Sequence, residues 1–185
     1  MHSFLDTASH PAQLPIVSDD VIELHVVRVL LLCHIVGNNN RIDGLTKFAK
    51  IDFLIRYPKY AKKFRGILAN QFQQDAINED SNLSPMIKYH YGPWDPRYYH
   101  LFAHMNARAL LDIYPDKKTL KLKLTDEGQS LAKALAQEAP FTDLVAHMRE
   151  IRGSFGGLSG YRLRRLIYEH LENELHSIDK GEKIQ

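Results

Sequence analysis

The sequence predicts a mainly α-helical fold with one small β-hairpin, arranged as a winged-helix-like core with additional helices. Three observations predict it. Apolar residues recur at helical spacing in seven segments of the 185-residue chain. A Pro-Asp-Lys-Lys turn at 115–118 separates two strand-like segments, 111–114 and 119–124. Residues that can cap a helix precede the segments on both sides of this hairpin. The order of helix, basic hairpin and capped helix is typical of a recognition helix and a wing, and it favours a binding module over an enzyme pocket.

The elements before the hairpin are predicted from periodicity and from residues that stop or cap a helix. Asp19 and Asp20 are expected to cap the first helix, and Pro58 is expected to end the second. Gly92 and Pro93 are expected to end a short strand of alternating character. The predicted elements are a mobile arm, three helices and that strand, at 1–18, 21–36, 45–56, 60–75 and 86–91.

The elements around and after the hairpin have clearer start signals. Asp95-Pro96 indicates a helix start, since a carboxylate can cap a helix and proline is favoured at its first position. Thr125 is expected to cap the helix after the hairpin. The predicted elements are helices at 97–109, 126–137, 141–151 and 161–176, a glycine-rich hinge at 153–160 and a charged, frayed tail at 179–185.

These elements divide the chain into four parts. An arm at 1–18 precedes a winged-helix-like domain with a helical insertion at 19–138, a C-terminal helical extension at 139–178 and a tail at 179–185. About forty residues separate the second helix from the Asp95-Pro96 helix, where a DNA-binding regulator typically has a short turn. The insertion argues against a simple transcription factor and favours a scaffold with extra binding surface.

Composition and charge restrict the class of protein further. The net charge of +2 is unevenly distributed, since residues 41–65 hold eight basic and two acidic side chains and residues 85–125 hold seven and three. Such a positive field can attract phosphate or an acidic protein surface, although an ordinary solvated face is the alternative. The sequence shows no apolar run of membrane-spanning length and no signal-peptide pattern in its first twenty residues. A single cysteine, Cys33, suits a reducing compartment, and we expect a cytoplasmic protein.

The helix at 97–109 provides the first candidates for nucleic-acid contact. Its basic side chains from Arg97 to Arg108 are spaced by three, four and four residues, which places them along one stripe. Such a stripe could enter a major groove, and lysines at the hairpin tip could reach phosphates. The alternative is a stripe that faces solvent or a protein. The candidate DNA-contact residues are Lys47, Lys50, Arg97, His100, His104, Arg108, Lys117 and Lys118.

Aromatic residues concentrate just before this helix. They could stack on bases, anchor a protein interface, or cover the start of the helix. The turn chemistry of Gly92 and Pro93 favours the structural role for Trp94. The candidate partner-contact residues are Tyr89, Tyr91, Trp94 and Tyr99.

The sequence does not predict a metal, a cofactor or a catalytic set. His100 and His104 form an HxxxH pair, but the pair lacks the glutamate of the zincin signature, and the single cysteine is expected in the core. The glycine-rich stretch at 153–160 lacks the order of a phosphate loop. Asp43 and Asp52 are interpreted as cap and loop charges rather than as a catalytic pair. We therefore expect a protein that is not an enzyme.

Two segments carry a resemblance to a known family. They are the stretch from Arg41 to Pro58, RIDGLTKFAKIDFLIRYP, and the stretch from Tyr91 to Tyr99, YGPWDPRYY. In this order, after an apolar first helix, they resemble the small middle component of bacterial ABC-three-component systems, a group that includes the small subunit of Lamassu-type anti-phage systems. The resemblance covers roughly residues 21–170.

The resemblance implies a non-catalytic adaptor. Such a subunit would dock onto an SMC-like, ABC-type ATPase and help to hold a nuclease effector in a complex that senses phage or plasmid DNA. ATP hydrolysis and cleavage would belong to the other subunits. The alternative from the residues themselves is a free-standing winged-helix transcriptional regulator that reads DNA through Arg97, His100 and Arg108. A third alternative, from a different class, is a small nuclease or metal-dependent hydrolase that uses the histidines.

Overall fold

The computed structural model describes residues 21–64, 85–89, 92–176 and 178–184. Over these residues the chain is mainly helical and contains two small antiparallel sheets. The helices are α1 (Ile22–Ile35), α2 (Leu45–Arg56), α3 (Pro58–Lys62), α4 (Tyr98–Ala107), α5 (Asp126–Leu135), α6 (Thr142–Phe155) and α7 (Gly160–His176). The strands are β1 (Arg41–Asp43), β2 (Ile87–Tyr89), β3 (Gly92–Trp94), β4 (Leu111–Asp116) and β5 (Thr119–Leu124).

Helix α2 lies at the centre of the fold. Every residue from Phe48 to Arg56 is buried, because α6, α7 and β3 all contact this helix. The Phe48 ring meets the rings of Tyr98 and Phe102 edge-on, at centroid distances of 5.1 and 5.0 Å. The prediction of a helix at 45–56 is confirmed in its bounds, but three of its charged side chains, those of Lys50, Asp52 and Arg56, lie inside the protein. They must therefore find partners there.

The three-stranded sheet has the order β1-β5-β4. The predicted hairpin is confirmed, with a two-residue turn at Lys117 and Lys118, and Lys117 has a φ of +54°. Strand β1 was not predicted. It pairs antiparallel with β5, which places Ile42 opposite Leu122, and both side chains are buried. A three-residue strand whose partner lies about eighty residues later leaves no local signal in the sequence.

The second sheet pairs β2 with β3, so that Gly92-Pro93 forms part of a partner strand instead of merely ending the predicted one. The C-terminal residues extend this region. The Ile184 amide donates to the Met86 carbonyl at 2.7 Å, and the Lys88 amide donates to the Glu182 carbonyl at 2.9 Å. Ile184 is buried. The prediction of a frayed tail is therefore wrong for residues 179–184, because backbone pairing and an apolar anchor hold them in place.

The start signals have mixed outcomes. Thr125 caps α5 as predicted, since its Oγ1 accepts the Gly128 amide at 3.0 Å. Pro58 begins α3 as well as ending α2. Helix α4 starts at Tyr98, so Pro96 precedes the helix, although the Asp95 carboxylate accepts the Arg97 amide as a cap would. The arm at 1–18, the caps Asp19 and Asp20, and the predicted helix beyond 64 lie outside the described residues.

The two predicted C-terminal helices are present, and the segment between them is shorter than the predicted hinge. Helix α6 continues through Gly153 to Phe155, and α7 starts at Gly160, so only residues 156–159 separate the two helices. A short 3₁₀ turn, Ala139–Phe141, precedes α6. Within the described ranges, none of the helices combines the length and the apolar character that a membrane span requires.

Asp52 on α2 is fully buried, accepts hydrogen bonds from α1 and α4, and forms an ion pair with Arg56 on its own helix. Its Oδ1 lies 2.8 Å from Nε of Arg28 on α1, and its Oδ2 lies 3.0 Å from Nη2 of Arg56. The Tyr98 hydroxyl donates to the same Oδ2 at 2.7 Å. Burial by itself would raise the pKa of Asp52, but the charges of Arg28 and Arg56 and the tyrosine hydrogen bond hold the pKa below its usual range. The interpretation of Asp52 as a cap or loop charge is wrong.

Asp95 continues this arrangement towards the start of α4. Nη2 of Arg56 also contacts Asp95 Oδ2 at 2.7 Å, so one guanidinium nitrogen joins the two carboxylates. Arg97 also binds Asp95, because its Nε and Nη2 each donate to a carboxylate oxygen at 2.9 Å. We call the resulting set the buried ion network, although the side chain of Arg97 is 39% exposed. Its members are Arg28, Asp52, Arg56, Asp95, Arg97 and Tyr98.

Replacement of Asp52 by asparagine should destabilise the protein strongly. The change leaves the Arg28 and Arg56 guanidiniums buried beside a neutral amide, and breaking a buried pair in this way costs about 3–5 kcal/mol. The free energy of unfolding, measured by urea denaturation, tests the prediction.

Asp43→Asn is the matched control. Asp43 is 42% exposed and pairs with Arg41 at 2.8 Å and with Lys121 at 3.1 Å, and loss of each such surface pair costs less than about 1 kcal/mol. Equal losses in the two variants would show that burial of the network contributes nothing to stability.

Candidate functional site

An aromatic groove of about 270 Å³ lies between the small sheet and the start of α4. Tyr89 on β2 and Tyr99 on α4 are exposed at 46% and 63%. Trp94 on β3 is half-buried, because its ring meets Tyr98 edge-on at 5.1 Å and lies 5.9 Å from the Tyr99 ring. The groove is lined by Leu45, Thr46, Ala49, Lys50, Tyr89, Gly92, Pro93, Trp94 and Tyr99.

The groove gathers three of the four candidate partner-contact residues, while Tyr91 lies outside the described residues. Trp94 is both structural and partly accessible, since one side of its ring packs on Tyr98 and its surface lines the groove. Tyr and Trp combine large apolar rings with a polar group, which suits surfaces that become buried in complexes. The expected structural role of Trp94 and a contact role for Tyr89 and Tyr99 are therefore compatible.

Lys50 also lines this groove. Its side chain is 2% exposed, and its Nζ donates to the Pro93 carbonyl at 3.1 Å. Burial, together with the positive charge of Arg164, lowers the pKa of Lys50 to about 7. Gly92 has a φ of +87°, which favours glycine, and a Cβ at this position would lie only 3.3 Å from Nζ. Glycine therefore permits both the backbone conformation and the close approach of the lysine. The expectation that Lys50 contacts DNA does not fit this burial, which follows from the central position of α2.

Two further candidates for DNA contact are engaged within the protein. Lys47 is half-buried, and its Nζ donates to the Gly156 carbonyl at 2.7 Å, which ties α2 to the segment between α6 and α7. Burial lowers the pKa of Lys47, with Asp43 opposing the shift. Arg97 grips Asp95 with two of its nitrogens, so the same edge of its guanidinium cannot bind guanine while that pair persists.

The remaining candidates lie at the surface. His100 and Arg108 on α4 are exposed, and His104 is half-buried. These three residues of the predicted stripe therefore reach the surface, whereas Arg97 at its start is bound to Asp95. Lys117 and Lys118 are exposed at the tip of the hairpin. Over the described part of the chain, no group of three or more histidine, cysteine or carboxylate side chains is placed to hold a metal ion.

The buried roles of Arg28, Asp52 and Arg56 were not predicted from the sequence. A signal for Asp52 and Arg56 existed, because residues 48, 52, 55 and 56 fall on one stripe of a helix with apolar members. A charged residue on an apolar stripe is either exposed by a distortion or paired in the interior. Arg28 carried no such signal, since only the packing of α1 shows that it meets Asp52.

Comparison with protein-family models, with curated proteins and with solved structures found no match for this chain.

The stability of the protein should depend on pH through Lys50. Its pKa is about 7 in the folded protein and about 10.4 in an unfolded chain, so between these values unfolding takes up a proton. Stability should therefore rise with pH above about 7, by at most about 1.4 kcal/mol per pH unit. Lys50→Met should remove this contribution. We therefore expect the variant to have a higher free energy of unfolding than the wild type at pH 7, and we expect this difference to be smaller at pH 9.

Urea denaturation of both proteins from pH 6.5 to 9.5 measures the difference. Lys133→Met, at an exposed lysine of α5, is the control and should keep the wild-type pH profile. Parallel profiles for the wild type and Lys50→Met would contradict the prediction.

Proposed function

We propose that this chain is a non-catalytic adaptor subunit of a multi-subunit anti-phage or anti-plasmid defence complex in the cytoplasm. It would dock onto an SMC-like, ABC-type ATPase and help to hold a nuclease effector, with DNA nearby. The resemblance of the segments at 41–58 and 91–99 suggests which complex this is. The aromatic groove is the observation that carries the docking role, because exposed aromatic side chains around a concavity are typical anchors of protein interfaces.

The two resembling segments meet in the structure, which supports treating them as one motif. The first supplies Asp52 and Arg56 to the buried ion network, and the second supplies Asp95, Arg97 and Tyr98. The same segments also border the groove, through residues 45–50 and 92–99. The motif therefore combines a buried core that fixes the geometry with the surface that we assign to the partner.

We also infer that α1 to α5 form a winged-helix-like domain, in which α4 is the recognition helix and β4-β5 is the wing. The support is the sheet order β1-β5-β4, with β1 following the first helix and pairing with the second strand of the hairpin. The segment between α2 and α4 adds α3, β2 and β3 to this plan. That addition supplies Tyr89 and Trp94 to the groove. The inserted segment, which a simple winged-helix regulator would not have, therefore forms part of the proposed docking surface.

A free-standing DNA-binding regulator is the second candidate. It is favoured by the exposed Lys117 and Lys118 at the hairpin tip and by exposed His100 and Arg108 on α4. Because Arg97 is engaged with Asp95, this candidate depends on phosphate contacts more than on arginine reading of bases.

Tyr99→Ala should weaken binding to the SMC-like ATPase proposed as the partner at least tenfold. Tyr99 is 63% exposed, so its loss should leave the fold intact, whereas truncation of an aromatic anchor in an interface typically costs about 1–2 kcal/mol or more. Co-purification of the complex and titration of the purified subunits measure the effect.

Tyr161→Ala is the matched control, since Tyr161 is 64% exposed on α7 and does not line the groove. A wild-type chain that ignores the ATPase but binds one palindromic operator tightly would contradict the adaptor role and favour the regulator. Equal binding by the two tyrosine variants would remove the groove from the interface.

Charge reversal at the wing tip should weaken any DNA contact of the chain or its complex. Lys117→Glu combined with Lys118→Glu removes two cations placed to reach phosphates, and each lost contact should flatten the salt dependence of log K by about one unit. Fluorescence anisotropy with duplex DNA over a range of salt concentrations measures the slope. Lys133→Glu combined with Arg149→Glu makes the same charge change at exposed residues of α5 and α6. An identical slope in the two double variants would exclude a specific role for the wing.

A further inference from the structure

A cavity of about 360 Å³ lies between the ends of α1 and α6 and the start of α2. It shares no lining residue with the aromatic groove, and most of its wall is polar. Its lining includes Arg41, Asp43, Lys47, Arg152, Gly156 and Gly157, and we call it the polar cavity.

The charges of Lys47 and Arg152 meet only neutral acceptors. Lys47 Nζ donates to the Gly156 carbonyl at 2.7 Å, and Arg152 Nη1 donates to the Ile35 carbonyl at 2.8 Å. Neither cation forms an ion pair with a carboxylate of the described residues. An ammonium has three N–H donors and a guanidinium has five, so one carbonyl leaves donors of each side chain for a ligand. Lys47 is half-buried and Arg152 is exposed, so a ligand can reach both.

Asp43 also borders the cavity, but other cations already share its charge. Its Oδ1 lies 2.8 Å from Arg41 Nε, and its Oδ2 lies 3.1 Å from Lys121 Nζ. Burial by itself would raise the pKa of Asp43, but the hydrogen bonds from Lys121 and Arg41 hold it below its usual range. Burial also lowers the pKa of Lys47 in spite of the nearby Asp43 charge. The Lys47 ammonium therefore lacks full compensation.

The helix ends explain the position of the two cations but offset only part of their charge. The C-terminal end of a helix is equivalent to about half a negative charge and attracts cations. The ends of α1 and α6 both border the cavity, so together they offset about one of the two positive charges. An excess of about one positive charge remains, and an anion in the cavity would neutralise it.

We propose that the polar cavity binds a phosphate group, either free phosphate or the phosphate of a nucleotide or a nucleic acid. The donors come from α2 and α6, with Arg41 of β1 beside them, so they belong to three different elements. The tetrahedral oxygens of phosphate can accept from several directions, whereas the two oxygens of a carboxylate are coplanar. Gly156 and Gly157 add no side chain to the wall, which leaves room for the group. This assignment holds for an adaptor and for a regulator alike.

Gly157 provides a test that leaves the cations in place. Its φ is not in the left-handed region, and a Cβ at this position would meet nothing within 4 Å, so a side chain can be added there without a clash. Gly157→Asp puts a carboxylate at the edge of the cavity and should weaken phosphate binding at least tenfold by repulsion. Gly157→Asn has nearly the same shape without the charge, and it should bind within about twofold of the wild type.

Titration of the full chain with inorganic phosphate, at ionic strength held constant with chloride, measures the binding. We expect saturable heat at one site and a Tm that rises with phosphate concentration. The same titration with a nucleoside 5′-monophosphate, and fluorescence anisotropy with duplex DNA, distinguish the sources. Tighter binding of the nucleotide assigns the cavity to nucleotides, weaker DNA binding by Gly157→Asp than by Gly157→Asn assigns it to the nucleic-acid backbone, and a response to inorganic phosphate alone assigns it to the free ion.

A second pair of variants decides the matter if Gly157→Asp does not fold. Arg152→Gln should weaken phosphate binding at least tenfold, while Arg149→Gln, at an exposed arginine of α6 that does not line the cavity, should bind like the wild type. No saturable response of the wild type to any of the three phosphate ligands would overturn the proposal. So would equal binding by the charged and neutral variants at Gly157, or binding of acetate or of a glutamate-rich peptide as tight as that of phosphate.

Discussion

The pairing of Asp52 is the constraint on which the rest of the structure depends. A carboxylate without access to water is stable only when cations and hydrogen-bond donors surround it, and Asp52 meets this requirement through Arg28, Arg56 and Tyr98. These three partners belong to α1, α2 and α4, so the carboxylate fixes three helices relative to one another. Nη2 of Arg56 extends the constraint to Asp95. Residues 92–94 of the segment that is held in this way line the aromatic groove, and residues 95 and 97 border a second concavity between α1 and the start of α4.

Local signals predicted the helices and the hairpin, because each of these elements depends on residues that are close together in the sequence. Helical periodicity marks α1 and α2, and Thr125 marks the start of α5. The elements that were missed depend on residues far away in the chain. Strand β1 exists because β5 is there to pair with it, and Ile184 is ordered because Met86 accepts its amide. Strand β3 contains a glycine and a proline, which usually end a strand, and pairing with β2 overrides that preference.

The exposure of the candidate-site residues was predicted correctly where the type of a residue is a good guide to its exposure. It was predicted wrongly where the packing of the elements buries a residue of a type that is usually exposed. Aromatic residues before α4 lie close together because they are close in sequence, and Tyr99 is exposed as a contact residue must be. Lys50 was expected at the surface, as most lysines are, but α2 is covered by α6, α7 and β3. Arg97 was expected to be available to DNA, but the carboxylate of Asp95, two residues earlier in the chain, binds its guanidinium. Helical spacing shows which residues share a face, but only the tertiary structure shows what that face meets.

The use of charges in this core has a consequence that apolar residues would not provide. Well-packed apolar side chains in place of a buried ion network often give equal or greater stability, so stability alone does not explain Arg28, Asp52 and Arg56. Directional bonds, in contrast, hold Arg97 against Asp95 in one orientation, and Arg28 and Arg97 both border a concavity between α1 and the start of α4. An apolar core could hold the same helices together, but it would present no positive charge between α1 and α4. The arrangement that orders the interior is therefore also the one that gives this surface its chemistry.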